Sequence, residues 1–261
     1  MKKIFKNKFI IAVVYLRPTL GHPEHRSMQD LISCALSDCQ KLVTSGVDGI
    51  LLENEYDYPY DVLASESCIS SMIEVCTRVK KEILNIPIGV EFLLNDPKTS
   101  LLIAKTSGLD FIRTDYFVDP MKRDEYGGEM LIDPVGLINY RNDINANEIK
   151  IFTDLQVKYA TMLISRSIKE SAQLAVKHQS DGVIISSDIT GTPPDLVDLK
   201  NSKVQGTPVI VGSGLSLENL GKLFPYFDGA MVGSSMMDDG VINESKAIKF
   251  MLKVKSLRQS K

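Results

Sequence analysis

Residues 207–214 read Thr-Pro-Val-Ile-Val-Gly-Ser-Gly, and residues 229–235 read Gly-Ala-Met-Val-Gly-Ser-Ser. In both, a short apolar run stops at a Gly-Ser pair. Apolar runs without polar alternation suit strands covered on both faces. A glycine placed directly after such a strand lets backbone N–H groups come close to an anion. After the first run, Ser216-Leu217-Glu218-Asn219 has the residue types that start a helix.

Working outward, six more runs of the same kind precede these two: Phe9–Tyr15, Gly49–Glu53, Ile86–Glu91, Phe111–Thr114, Lys150–Asp154 and Gly182–Ser186. Longer stretches with helical periodicity fall between and after them, among them 27–45, 65–84, 133–147, 165–179 and 243–257. Three strands are entered through a similar phrase: Ser45-Gly46-Val47-Asp48-Gly49, Ser107-Gly108-Leu109-Asp110-Phe111 and Gln179-Ser180-Asp181-Gly182. The glycine of the first two suits a left-handed helix cap. Eight βα units with no break in composition predict an α/β fold, a closed (β/α)8 TIM barrel filling residues 1–261 as one domain. An open doubly wound sheet would show a Gly-rich dinucleotide loop after its first strand. Here that loop reads Arg17-Pro18-Thr19-Leu20-Gly21-His22-Pro23.

A barrel gathers the residues at the C-terminal ends of its strands over the core, and its loops seven and eight often hold phosphate. Gly212, Ser213, Gly214, Gly233 and Ser234 are therefore the expected phosphate-binding residues; the plainer alternative is that these glycines only permit tight turns. Other polar residues at strand ends are Glu53, Asn54, Asn95, Arg113, Asp115, Asp154, Gln156, Lys158, Ser186 and Asp188. Asp154, Gln156 and Lys158 are spaced by two, so an extended segment would show all three on one face. Asp154 and Glu53 are acid/base candidates, Lys158 an amine catalyst or electrophile, and Arg113 a group that orients an anion. The competing readings are plain ion pairing among these residues, or a divalent cation such as Mg²⁺ on Glu53, Asp115 and Asp154. The long charged connection from Tyr116 to Ile132 is read as a lid or binding loop.

A net charge of −3 argues against non-specific nucleic-acid binding. Four cysteines without CxxC spacing read as buried apolar groups in a reducing, cytoplasmic setting. The Lys-rich N-terminus and its short apolar run read as a strand rather than a leader, and no apolar stretch reaches bilayer length.

In order along the chain, Asp48 to Asn54 with Asp57 and Pro59, Pro87 to Val90, Leu94-Asn95-Asp96, Phe111-Ile112-Arg113, and Asp154 with Val157-Lys158 form a recurring set. It continues through Thr190-Gly191 with Asp195, Val211 to Gly214 with Asn219, and Asp228 to Gly240. This set resembles the BtpA/SgcQ family, named for a role in photosystem I biogenesis, other members of which lie beside sugar-metabolism and transport genes. The resemblance implies a (β/α)8 barrel and leaves the chemistry open. It also marks departures: Tyr15 stands where a His is expected, Glu91 where an Asn is, and Met237 where a Lys is. Strand five ends Thr153-Asp154-Leu155-Gln156-Val157-Lys158-Tyr159, against a family pattern similar to Ala-Asp-Val-His-Val-Lys-His. The expectation is an isomerase-, lyase- or hydrolase-type enzyme on a small phosphorylated metabolite, a phosphosugar or nucleotide-derived compound. The alternative is a non-catalytic ligand-binding or assembly protein. Barrels of this kind often associate into homo-oligomers.

Overall fold

A computed structural model describes residues 8–187 and 192–260. Eight parallel strands close into a barrel: β1 (Phe9–Tyr15), β2 (Gly49–Glu53), β3 (Ile88–Glu91), β4 (Phe111–Thr114), β5 (Lys150–Leu155), β6 (Gly182–Ile185), β7 (Val209–Val211) and β8 (Gly229–Val232). Every strand pairs with its sequence neighbours, and β1 pairs with β8 to complete the circle. The helices lie on the intervening connections: α1 (Met28–Ser45), α2 (Glu66–Glu82), α3 (Pro97–Ser107), α4 (Pro134–Asp143), α5 (Ile168–Lys177), α6 (Leu196–Asn201), α7 (Leu220–Leu223) and α8 (Glu244–Gln259). The expected barrel is thus present, with strand boundaries within two residues of those read from the apolar runs. Among the described residues, no helix is long and apolar enough to cross a membrane.

The aspartates of the three repeated phrases, with Asp228 in the same position before β8, have a structural task at the bottom of the barrel. Asp48, Asp110, Asp181 and Asp228, each just before an even-numbered strand, accept the backbone N–H of Ile10, Ile88, Ile151 and Val209 in the preceding odd-numbered strand. These bonds hold the lower rim in register and satisfy strand-start amides that lack a ladder partner.

Two apolar layers form the core. Helices pack on the outside of the barrel through residues such as Ala12, Leu52, Val90, Ile112 and Val211. The interior is filled by Phe9, Ile11, Val13, Leu51, Phe111, Phe152, Ile184, Ile210 and Met231. Side chains alternate along a strand, so the inward phase advances by two. Two residues beyond Val13, Leu51, Gly89, Phe111, Phe152, Ile184, Ile210 and Met231 lie Tyr15, Glu53, Glu91, Arg113, Asp154, Ser186, Gly212 and Gly233, one at the end of each strand. The layer above the apolar interior is therefore polar, and it forms the floor of the site.

The connection after β4 does not hang free. Met121–Arg123 and Gly128–Glu129 form an antiparallel pair, and Met121–Arg123 also pairs with Thr161–Met162 from the loop after β5. A small apolar cluster of Leu94, Tyr116, Met121, Met130 and Val157 seats this three-stranded flap on the barrel mouth.

Candidate active site

A cavity of roughly 300 Å³ opens at the C-terminal end of the barrel. Its walls include Glu53, Glu55, Arg113, Asp115, Asp154 and Lys158 on one side, and Gly212, Ser213, Gly214, Gly233 and Ser234 on the other. Every residue expected to carry chemistry or to hold phosphate is in this single space.

Arg113 is its organising charge. The side chain is 12% exposed and rises from the barrel interior on β4. Its Nε donates to Asp154 Oδ2 at 2.8 Å and its Nη2 to Asp154 Oδ1 at 3.1 Å, a bidentate pair. Its Nη1 donates to Glu53 Oε1 at 3.0 Å. Glu91 Oε2 lies 3.4 Å from Nε, and Asp115 Oδ1 lies 3.8 Å from Nη2. Burial works against a charge on Arg113, but Asp154, Glu91 and Glu53 outweigh it and drive its pKa well above the ordinary value.

One guanidinium cannot neutralise four carboxylates, so protons make up part of the difference. Burial raises the Glu91 carboxyl well above the ordinary range, Arg113 opposes this, and Asp115 and Glu53 add to it. Asp115 is pushed up to about 7, first by burial and then by the Asp154 charge. Glu55, just beyond β2, is also pushed up to about 7, by burial and then by Glu53. The site thus holds two carboxyl groups that exchange protons near neutrality, with the Lys158 ammonium close enough to lower both.

Glu53 and Asp154, the acid/base candidates of the sequence, both accept hydrogen bonds from Arg113. Asp115 and Glu55 line the same wall and carry the raised carboxyl groups. The guanidinium lies within 4 Å of Glu53, Asp115 and Asp154, in the place a divalent cation would take. Among the described residues, no group of three or more His, Cys, Asp or Glu is arranged to hold a metal ion.

Strand five departs from its expected alternation. β5 ends at Leu155, and Gln156 takes a φ of +49°, which turns its side chain out of the barrel. Gln156 Nε2 donates to Arg166 O and to Ser171 Oγ, and its N–H donates to buried Asp119. Asp119 also accepts from Arg166 Nη1 and Ser171 Oγ, so the loop is clamped to α5. Lys158 reaches the cavity over this clamp, and its Nζ lies 5.8 Å from the Tyr159 ring centroid.

Asn54 and Asn95 are elsewhere, not on the cavity wall. Asn54 is buried, donating to Asp57 and Leu93 O and accepting from Leu93 N–H. Asn95 donates to Leu131 O at 2.8 Å, holding the end of the long connection. Both are fasteners between loops. Asp188 lies outside the described residues. Tyr15, in place of the expected imidazole, occupies the cavity floor, and burial with Glu53 beside it raises its pKa. Met237 is buried and away from the cavity.

On the opposite wall, Gly212 N–H is committed to Ile185 O at 2.9 Å, so it supplies space rather than a donor. A Cβ on Gly212 would stand 2.4 Å from Ser186 Oγ. Gly214 has a φ of +72°, and a Cβ there would meet Thr192 O at 2.0 Å. The helix expected at Ser216 is a single turn, Leu220–Leu223, so a helix dipole contributes little. Donors come instead from the loops. The N–H groups of Ser234 and Ser235 open a short 3₁₀ turn and have no acceptor within it. The Ser186 and Ser213 hydroxyls are buried and make no hydrogen bond among the described residues.

Sequence comparison agrees with this architecture over nearly the whole length. The BtpA family model matches residues 6–256. The chain belongs to the BtpA family. An uncharacterized protein of Pyrococcus abyssi is 33% identical over 258 residues, covering 97% of this chain and 98% of that one. The photosystem I biogenesis protein BtpA of Synechocystis is 30% identical over 240 residues, covering 90% of this chain and 83% of that one. Among solved structures, a phosphoribosyl anthranilate isomerase from Thermus thermophilus aligns with a TM-score of 0.61 at 12% identity, covering 96% of this chain and all of that one. KGPDC from Streptococcus mutans aligns with a TM-score of 0.60 at 14% identity, covering 97% and 100%. At these identities the two structures establish the TIM-barrel fold.

Proposed function

We propose that this BtpA-family barrel is an enzyme that moves protons on a small phosphorylated metabolite, in an isomerase- or lyase-type reaction. One observation carries the reading: the loops after β7 and β8 and the carboxyl groups above β2, β4 and β5 face each other across the same cavity. The loops present the Ser234 and Ser235 amides, which have no acceptor within their turn, and the Ser213 hydroxyl, which has no partner among the described residues, as suits a phosphate site. Across from them, Asp115 and Glu55 titrate near neutrality, where a general acid or base is most effective. Arg113 holds Asp154 and Glu53 in place, and Lys158 supplies a cation over the reacting centre. Protonated Asp115 or Glu55 would give a proton to the substrate oxygen, and the ionised partner would take one from carbon.

Thermal unfolding against phosphosugars and inorganic phosphate tests the site. The expected result is stabilisation by phosphorylated compounds that Gly214→Ala abolishes. Turnover of a stabilising compound, followed by proton NMR in deuterated water, should show solvent deuterium entering at carbon and should fail in Asp115→Asn. No stabilisation by any phosphorylated compound or by phosphate would overturn the site.

A second reading, a non-catalytic binder, has one observation in its favour. Where the family resemblance expects imidazoles on strands one and five, the chain has Tyr15, with its pKa raised, and Gln156, turned away from the cavity. Binding without deuterium exchange would select it.

A further inference from the structure

Five of the nine tyrosines in the chain, Tyr15, Tyr58, Tyr60, Tyr126 and Tyr159, line the one cavity. Tyr15 belongs to its floor. The other four stand at the mouth, on the loops after β2, β4 and β5. Tyr58 is 69% exposed and Tyr159 57% exposed. Tyr58 and Tyr60 meet at 85° with centroids 5.5 Å apart, an edge-to-face contact that leaves both faces of the edge-on ring uncovered by its partner. Arg123, from the flap, lies 4.8 Å from the Tyr126 ring centroid. Tyr60 and Tyr126 pack in part on the flap's apolar cluster, whereas the exposed ring area of Tyr58 and Tyr159 at the pocket mouth is suited to stacking on a ligand.

Position in the barrel sharpens this. In an eight-strand circle β4 lies diametrically opposite β8. A ligand with its phosphate at the loops after β7 and β8 reaches Tyr126 and Tyr159 only by spanning the mouth. A bare sugar phosphate would leave the tyrosine side empty.

We infer that the cavity mouth is a stacking subsite and that the ligand joins a planar aromatic or heteroaromatic ring to its sugar phosphate, as a nucleoside 5′-monophosphate does. This rests on the phosphate reading above for the ligand's other end.

Calorimetric titration with ribose 5-phosphate, adenosine and adenosine 5′-monophosphate separates the two ends. The nucleotide should bind about tenfold or more tighter than ribose 5-phosphate. It should also quench tyrosine emission, which is read directly because the chain contains no tryptophan. The double variant Tyr58→Ala/Tyr159→Ala should lose roughly 5- to 100-fold in nucleotide affinity and leave ribose 5-phosphate within about twofold. Tyr58→Phe/Tyr159→Phe should retain the wild-type preference. Equal binding of ribose 5-phosphate and nucleotide, unchanged in the alanine variant, overturns the stacking subsite and leaves the phosphate reading intact. Adenosine binding as tightly as its monophosphate, with the same loss in the alanine variant, supports the subsite and overturns the phosphate site. Binding of none of the three overturns both.

Discussion

Asp115→Asn should make the protein more stable, and increasingly so as the pH rises. In the folded chain, burial and the Asp154 charge push the Asp115 carboxyl from 3.8 up to about 7. Between those values the folded state holds a proton that the unfolded state has released, so stability falls as pH rises through that window. At about 1.4 kcal/mol per pH unit, the loss is on the order of 2 kcal/mol by pH 5 and 4 kcal/mol by pH 8. An amide keeps the shape and cannot ionise, so it escapes this penalty. Urea unfolding of both proteins at pH 5 and pH 8 gives the difference directly. Glu91 feels the Asp115 charge, so its release from that charge in the variant adds to the gain. A gain at pH 8 that exceeds the gain at pH 5 by about 2–3 kcal/mol is the expected result. A gain that is independent of pH, or a variant less stable than its parent at pH 8, would refute the charge balance drawn for the cluster. The same variant should lose turnover, as expected of a group held in an unfavourable state for function.

Arg113→Met leaves four carboxylates without their shared cation and should cost roughly 3–5 kcal/mol at pH 8. The cost should shrink toward pH 5 as those groups take up protons, and urea unfolding at both pH values measures it. Gly214→Ala forces a Cβ to within 2.0 Å of Thr192 O at a φ of +72°. It should cost roughly 1–3 kcal/mol in thermal unfolding and remove stabilisation by inorganic phosphate. Asp119→Ala strips the shared acceptor from Gln156 N–H, Arg166 and Ser171, at a cost of roughly 3 kcal/mol. Faster hydrogen exchange confined to the loop after β5 would report that clamp opening.

The barrel was legible because each strand is a short apolar run buried on both faces, a local signal that needs no tertiary knowledge. The glycines after β7 and β8 were legible as backbone features for a similar reason: at Gly214 a positive φ and a Cβ 2.0 Å from Thr192 O exclude a side chain. The helix expected at Ser216 was not, since capping residues mark where a helix is able to start and not how far packing sustains it. Gln156 misled for a related cause. Spacing by two holds only while the chain stays extended, and one positive φ after Leu155 sent that side chain to α5. The carboxylate contacts were also hidden. How closely each approaches Arg113 depends on distances across β2, β3, β4 and β5. One rule would have found most of the floor: carrying the inward phase two residues past each apolar interior residue gives Tyr15, Glu53, Arg113 and Asp154, and past Gly89 in the same phase gives Glu91. Tyr58, Tyr60 and Tyr126 lie on loops with no such phase, and only the folded flap brings them to the mouth.

A crystal structure grown with inorganic phosphate tests the central claim most directly. The predicted result is an anion between the loops after β7 and β8, within hydrogen-bonding distance of the Ser213, Gly214, Ser234 or Ser235 amides. An anion bound at Lys158 and Arg123 instead, with those amides left to water, would contradict it.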